Sequence, residues 1–167
     1  MLTATKSKRT VSARIGLARE MREQMIDLLN QQLADTFDLY SQTKQAHWNV
    51  QGAQFISLHE FFDALAAKLL VQVDDIAERA TALGGLARGT TRLSAAHSRL
   101  PECEFDGLDS MQAVEALADR YATLATSSRQ AIDSADEQGD KATADLFTQI
   151  SRELDKARWF LEAHLQT

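Results

Sequence analysis

Residues 53–83, AQFISLHEFFDALAAKLLVQVDDIAERATAL, decide the fold. Phe62, Leu65, Leu69, Val73, Ile76, Ala80 and Leu83 recur at steps of three and four, the period of a helix with one apolar face, and nothing in the stretch alternates as a strand would. With His59 as zero and about 100° per residue, that stripe falls at about 240–320°. His59, Asp63, Asp74 and Glu78 fall at about 0°, 40°, 60° and 100°. One helix is therefore predicted to carry two faces, an apolar stripe for a core and, well away from it, a row of one imidazole and three carboxylates.

The punctuation on either side extends the pattern to the whole chain. Glycine occurs at 16, 52, 84, 85, 89, 107 and 139, and the single proline is Pro101. That leaves four uninterrupted stretches, 17–51, 53–83, 108–138 and 140–167, rich in Ala, Leu, Gln, Glu and Arg, which favour helix. In the last of them Leu146, Ile150, Leu154, Ala157, Leu161 and Leu165 repeat the helical step. The chain is predicted to be all-α. Short joints around Asn49–Ala53 and Gly139 make two antiparallel hairpins. The long connection 84–109 suits a crossover of the bundle's length, with a short helix over Leu93–Ser98. Two hairpins and one long crossover describe a ferritin-like four-helix bundle, distinct from an up-down-up-down one.

Length and composition agree with one such domain over 15–167, since 167 residues can bury a real core. No apolar run approaches a membrane span, and no apolar segment follows Met1, so neither a membrane anchor nor a secretory leader is expected. Cys103 is the only cysteine, cannot form an internal disulfide, and fits a reducing, cytoplasmic setting in which it is expected to be inert. Charge is unevenly spread. Residues 1–14 hold Lys6, Lys8, Arg9 and Arg14 with no acid, a net of +4, so the chain's net of −6 leaves −10 on the rest. A flexible basic tail ahead of an acidic body points to a polyanion for one and cations for the other.

The polar face of the second stretch is where the chemistry lies. A two-metal site inside a single bundle needs inward Glu-x-x-His pairs, and the sequence contains none. Asp63 and Asp74 are eleven residues apart, roughly 16 Å along a helix, too far to share one ion. Their spacing is nevertheless symmetric, because His59 with Glu78 and Asp63 with Asp74 both centre between Lys68 and Leu69. Two copies crossing antiparallel on a two-fold axis would set His59 of one beside Glu78 of the other, and Asp63 beside Asp74, making two identical sites. Ala67 and Leu70 share this face and offer an apolar place to touch. Opposed carboxylates repel unless a proton or a cation lies between them. With His47 added, just before the preceding turn, the set is imidazole and carboxylate without thiolate, which suits Fe(II), with Zn(II) as a competitor. Singly, each residue reads as an ordinary surface side chain; the symmetric grouping is what argues for a site.

At these residues the chain resembles the Dps family, the DNA-binding proteins from starved cells or mini-ferritins. Lys44-Gln-Ala-His47-Trp48-Asn49-Val50-Gln51-Gly52 resembles its first signature, and His59-x3-Asp63 followed by Asp74-Asp75-Ile-Ala-Glu78-Arg79 its second. Leu83-Gly84-Gly85 with Gly89-Thr90-Thr91, and Ser151-Arg-Glu-Leu-Asp155-Lys-Ala-Arg-Trp159-Phe160, are similar to later landmarks. The resemblance implies a hollow homododecamer that oxidises Fe(II), preferably with hydrogen peroxide, and keeps Fe(III) inside. His47, His59 and Asp63 would come from one subunit and Asp74 and Glu78 from its mate. Trp48 would lie near the centre and quench radicals; packing at the dimer contact is the plainer alternative. Asp140 and Asp145, with Arg79 a weaker candidate, would line acidic iron-entry pores, although acids also favour a helix start as caps.

Lys6, Lys8, Arg9 and Arg14 resemble the basic arms with which some members bind double-stranded DNA. Such contact is phosphate-directed and salt-sensitive, and would place the shell on the nucleoid. A tail without a partner, or a transit segment, fits the same composition. His97 and His164 lack partner spacing and are expected at the surface. Two rival functions share part of the pattern, a DNA-compacting protein with structural sites that zinc could fill, and a helical interaction module without metal.

Overall fold

A computed structural model of the chain describes residues 13–166 and contains, among those residues, five helices and no strand. They are α1 (Arg19–Asn49), α2 (Phe55–Ala82), α3 (Thr91–His97), α4 (Ser110–Glu137) and α5 (Lys141–Leu165). The α1 helix has 31 residues, about 46 Å at 1.5 Å each, and sets the length of the bundle. The apolar stripe of α2 is buried as its period requires, through Leu58, Phe62, Leu65, Leu69, Ile76 and Ala80. Val73, at the edge of the stripe, is only partly covered.

Side-chain contacts give the directions. Gln32 on α1 donates to the carbonyl of Ser127 on α4. Ala46 and Val50 at the other end of α1 line one small cavity with Ala113 and Ser110 at the start of α4. The two helices are therefore antiparallel. Along α2 and α5, Phe61 meets Phe160, Lys68 meets Glu153 and Arg79 meets Thr143, which is again antiparallel. The hairpins α1–α2 and α4–α5 thus run up-down and down-up, as a crossover spanning the bundle demands.

Local chemistry places the breaks. Asp109 opens α4 with a capping box, accepting from the Gln112 amide while the Gln112 side chain accepts from the Asp109 amide. Asp140 caps α5. Gly139 between them has a φ of +75°, left-handed backbone that a side chain would strain. Gly85 serves another need. A Cβ there would stand 2.6 Å from Ile26 Cγ2, so only glycine lets the start of the crossover lie on α1.

Polar side chains of α1 then hold the crossover down. Gln31 donates to the His97 carbonyl and Gln42 to the Pro101 carbonyl. Asp38 accepts from the Ser98 hydroxyl. Asp35, buried, takes the Arg99 amide at 2.8 Å and both arms of the Arg99 guanidinium, at 2.9 and 2.6 Å. A buried carboxylate is tolerable only when so satisfied.

Candidate metal centre

His47 sits in the last turn of α1 and His59 in the second turn of α2, on either side of the tight turn between the helices. Their rings stack, with centroids 3.8 Å apart and planes inclined at 25°. Each Nδ1 lies at hydrogen-bond distance from the other residue's backbone carbonyl, 2.8 Å for His47 and 2.9 Å for His59. A carbonyl only accepts, so each Nδ1 carries the proton. In the neutral ring Nε2 then keeps a free lone pair, the arrangement in which a histidine binds metal while a backbone oxygen fixes its tautomer.

Asp63 follows one turn after His59. Its Oδ1 lies 4.0 Å from His47 Nε2 and 2.6 Å from the Lys44 ammonium. The hydrogen bond from Lys44, then its charge, hold the Asp63 carboxyl below the usual carboxylate range; desolvation opposes this, and the two histidines add a little to it. Trp48 is exposed beside His47, with the Lys44 ammonium 5.8 Å from its ring centroid.

Asp74 and Glu78 stand three to four turns further along α2, exposed and, among the described residues, without a side-chain hydrogen bond or ion pair. Within one chain, no three His, Cys, Asp or Glu side chains among the described residues come together closely enough to hold an ion. The fold brings together His47, His59 and Asp63, and leaves Asp74 and Glu78 apart from them. Ala67, Leu70 and Val71 lie exposed between the two groups. The donor set is nitrogen and carboxylate oxygen, which fits ferrous iron as an oxidisable cargo and fits zinc as well.

The other sequence candidates fall elsewhere. Asp140 is buried and fully engaged. It accepts from Arg79 Nη2 at 2.7 Å, from the Thr143 amide at 3.1 Å and from the Thr143 hydroxyl, which itself accepts from Arg79 Nε. The Thr143 contacts are helix capping, and the Arg79 contacts tie α2 to the start of α5. Asp145 is exposed, one turn on. Lys6, Lys8 and Arg9 lie outside the described residues; Arg14 is exposed. Cys103 is buried, and burial pushes its thiol up, as expected of an inert cysteine. His97 and His164 are both exposed, as expected, and His164 also stacks on Phe61 and lies at hydrogen-bond distance from the Phe160 carbonyl. Sequence reasoning gave Lys44 no role beyond its place in the signature run. Its position three residues before His47, on the same side of α1, was the available signal.

Comparison with known proteins bears on the fold and the family. A family model described as ferritin-like domain matches residues 26–167. A DNA protection during starvation protein of Agrobacterium fabrum is 42% identical over 158 residues, 95% of this chain and 98% of the relative. Among solved structures, DpsA14 from Streptomyces coelicolor superposes with a TM-score of 0.90 at 32% identity, covering 96% of this chain and 95% of that one. A Dps protein from Vibrio cholerae, described as belonging to a broad superfamily of ferritin-like diiron-carboxylate proteins, superposes at 0.87 with 28% identity over 93% and 97%. Among the described residues, no helix is long and apolar enough to cross a membrane.

Proposed function

The chain belongs to the Dps family of ferritin-like proteins, and from that membership we propose that it is a ferroxidase that stores iron and shields DNA. Fe(II) is the substrate, bound between two copies of the chain. His47, His59 and Asp63 of one copy and Asp74 and Glu78 of the other supply the ligands. Twelve subunits enclose the product, Fe(III), in a hollow shell. Hydrogen peroxide is the oxidant; each peroxide takes one electron from each of two ferrous ions and two protons, and leaves as two waters. Consuming both ferrous iron and peroxide removes the pair that would otherwise generate radicals near DNA, and Trp48 beside the centre is placed to intercept a stray oxidising equivalent.

One observation carries this reading. Two imidazoles are locked with Nε2 free beside Asp63, while the carboxylates at the symmetric positions, Asp74 and Glu78, have no side-chain partner among the described residues. A surface designed only for solubility would not fix the tautomers of two stacked histidines. The exposed apolar strip of Ala67 and Leu70 between the groups supplies the contact about which a second copy would turn. Asp145 and, more weakly, Asp140 and Arg79 are assigned to the iron entry path. Lys6, Lys8, Arg9 and Arg14 are assigned to DNA phosphates, which would place the protein on the nucleoid in the cytoplasm. The deciding experiment is anaerobic loading with Fe(II) followed by peroxide, read by ferric absorbance. Rapid oxidation with a growing mineral core supports the reading. Inert protein that retains zinc would instead favour a DNA-compacting role with structural metal.

A further inference from the structure

Lys44 is drawn into the centre by two contacts. Its ammonium lies 2.6 Å from Asp63 Oδ1, the oxygen that also stands 4.0 Å from His47 Nε2. It also lies 5.8 Å from the centroid of the Trp48 ring. The lysine side chain is only 18% exposed, whereas that of Asp63 is 60% exposed. A lysine normally keeps its strongly hydrated head in water, and holding its long stem in one geometry costs rotamer entropy. Here the stem is covered and the head is spent on a single carboxylate oxygen.

That oxygen is the one a metal would need. A divalent ion bound by an imidazole nitrogen and a carboxylate oxygen stands about 2 Å from each. An ion between His47 Nε2 and Asp63 Oδ1 would therefore nearly fill the 4.0 Å gap. The ammonium, 2.6 Å from the same oxygen, would be left a few ångströms from a dication, where like charges repel strongly. Lys44 and the ion compete for Oδ1.

We propose that Lys44 is the resident cation of the metal-free centre, holding Asp63 Oδ1 until a divalent ion displaces it and thereby setting how weakly that ion is held. The proposal rests on the ligand set given above. Lys44 is a positioning residue that ligates nothing. It offsets the Asp63 charge while the seam between subunits lacks metal, and it makes metal entry an exchange of one cation for another.

The test is an equilibrium titration of the assembled full-length protein with Co(II) in the absence of oxidant, followed by visible absorption and calorimetry. Lys44→Met and Lys44→Gln each remove the competitor and should tighten Co(II) binding about tenfold. Lys44→Arg keeps a cation and should stay near the wild-type affinity. His59→Ala is the control for the ligand set and should weaken binding. Unchanged or weaker affinity in both Lys44→Met and Lys44→Gln, with His59→Ala weakened as expected, would overturn the role of Lys44 and leave the ligand set standing. Unchanged affinity in His59→Ala would overturn the ligand set itself.

Discussion

His47 and His59 hold each other in place: their rings stack at 3.8 Å and each donates its Nδ1–H to the backbone carbonyl of the other residue. The two ligand positions are thus one rigid unit that clamps the end of α1 to the start of α2. Replacing one imidazole leaves its backbone carbonyl, and so leaves the other ring's tautomer intact.

His59→Ala and Asp63→Asn should therefore slow peroxide-driven Fe(II) oxidation roughly tenfold or more, since a ligand costs at least what an orienting partner costs. The fold should survive, because His59→Ala loses one hydrogen bond, about 1 kcal/mol. Stopped-flow ferric absorbance and circular dichroism check both halves. Wild-type rates in both variants would remove these residues from the centre.

A mixture of subunits tests the two-chain geometry. A dimer pairing a His59→Ala chain with a Glu78→Ala chain has one site lacking both residues and one complete site. Co-assembled shells should recover part of the activity that each homomeric variant lacks. Verified mixed shells without recovery would argue for sites built within one chain.

Deleting residues 1–14 removes a net of +4 from a body carrying −10. Assembly and Fe(II) oxidation should stay near wild type, while DNA binding in a mobility-shift assay should weaken. For the intact protein, DNA affinity should fall steeply with salt, as counterion release requires. Undiminished DNA binding by the truncated protein would send the search to other surfaces.

Stability should depend on the Asp35–Arg99 pair. Arg99→Ala strands a carboxylate whose side chain is 2% exposed, leaving it the Gln31 amide and one backbone N–H. The cost should be about 3 kcal/mol, the low end for breaking a buried pair, because Arg99 itself is half exposed. Guanidinium unfolding should show the midpoint falling. Adding Asp35→Asn should restore part of the loss, and an unmoved midpoint in Arg99→Ala would mean the pair contributes nothing.

Helix positions were legible because glycine, proline and apolar period are local signals. The stretch 53–83 became Phe55–Ala82 and 140–167 became Lys141–Leu165, each trimmed by residues spent on turns and caps. The short helix expected at Leu93–Ser98 begins two residues earlier, at Thr91, where the Thr90 hydroxyl can accept from the Leu93 amide. Helical angle alone separated His59, Asp63, Asp74 and Glu78 from the core. The carbonyl partners of the two histidines were not legible, since they depend on how two helices meet across a turn. Nor was the burial of Asp140, which needs Arg79 from 61 residues away. Nor were the roles of Gln31, Asp35, Asp38 and Gln42, whose partners lie about 60 residues on in the crossover.

Those four side chains also act as a gauge. They span eleven residues of helix, about 16 Å, and meet the chain from His97, the last residue of α3, to Pro101. The rungs match in only one alignment, because sliding the run by a single residue would swing every acceptor and donor out of reach. Whatever length the loop on either side has, the chain must therefore leave α1 at Pro101 and arrive at Asp109 level with the far end of the bundle. An insertion between 84 and 90 should break the contacts of Asn30 with the Leu86 carbonyl and the Arg88 amide, whereas one between 97 and 101 should tilt the whole second hairpin.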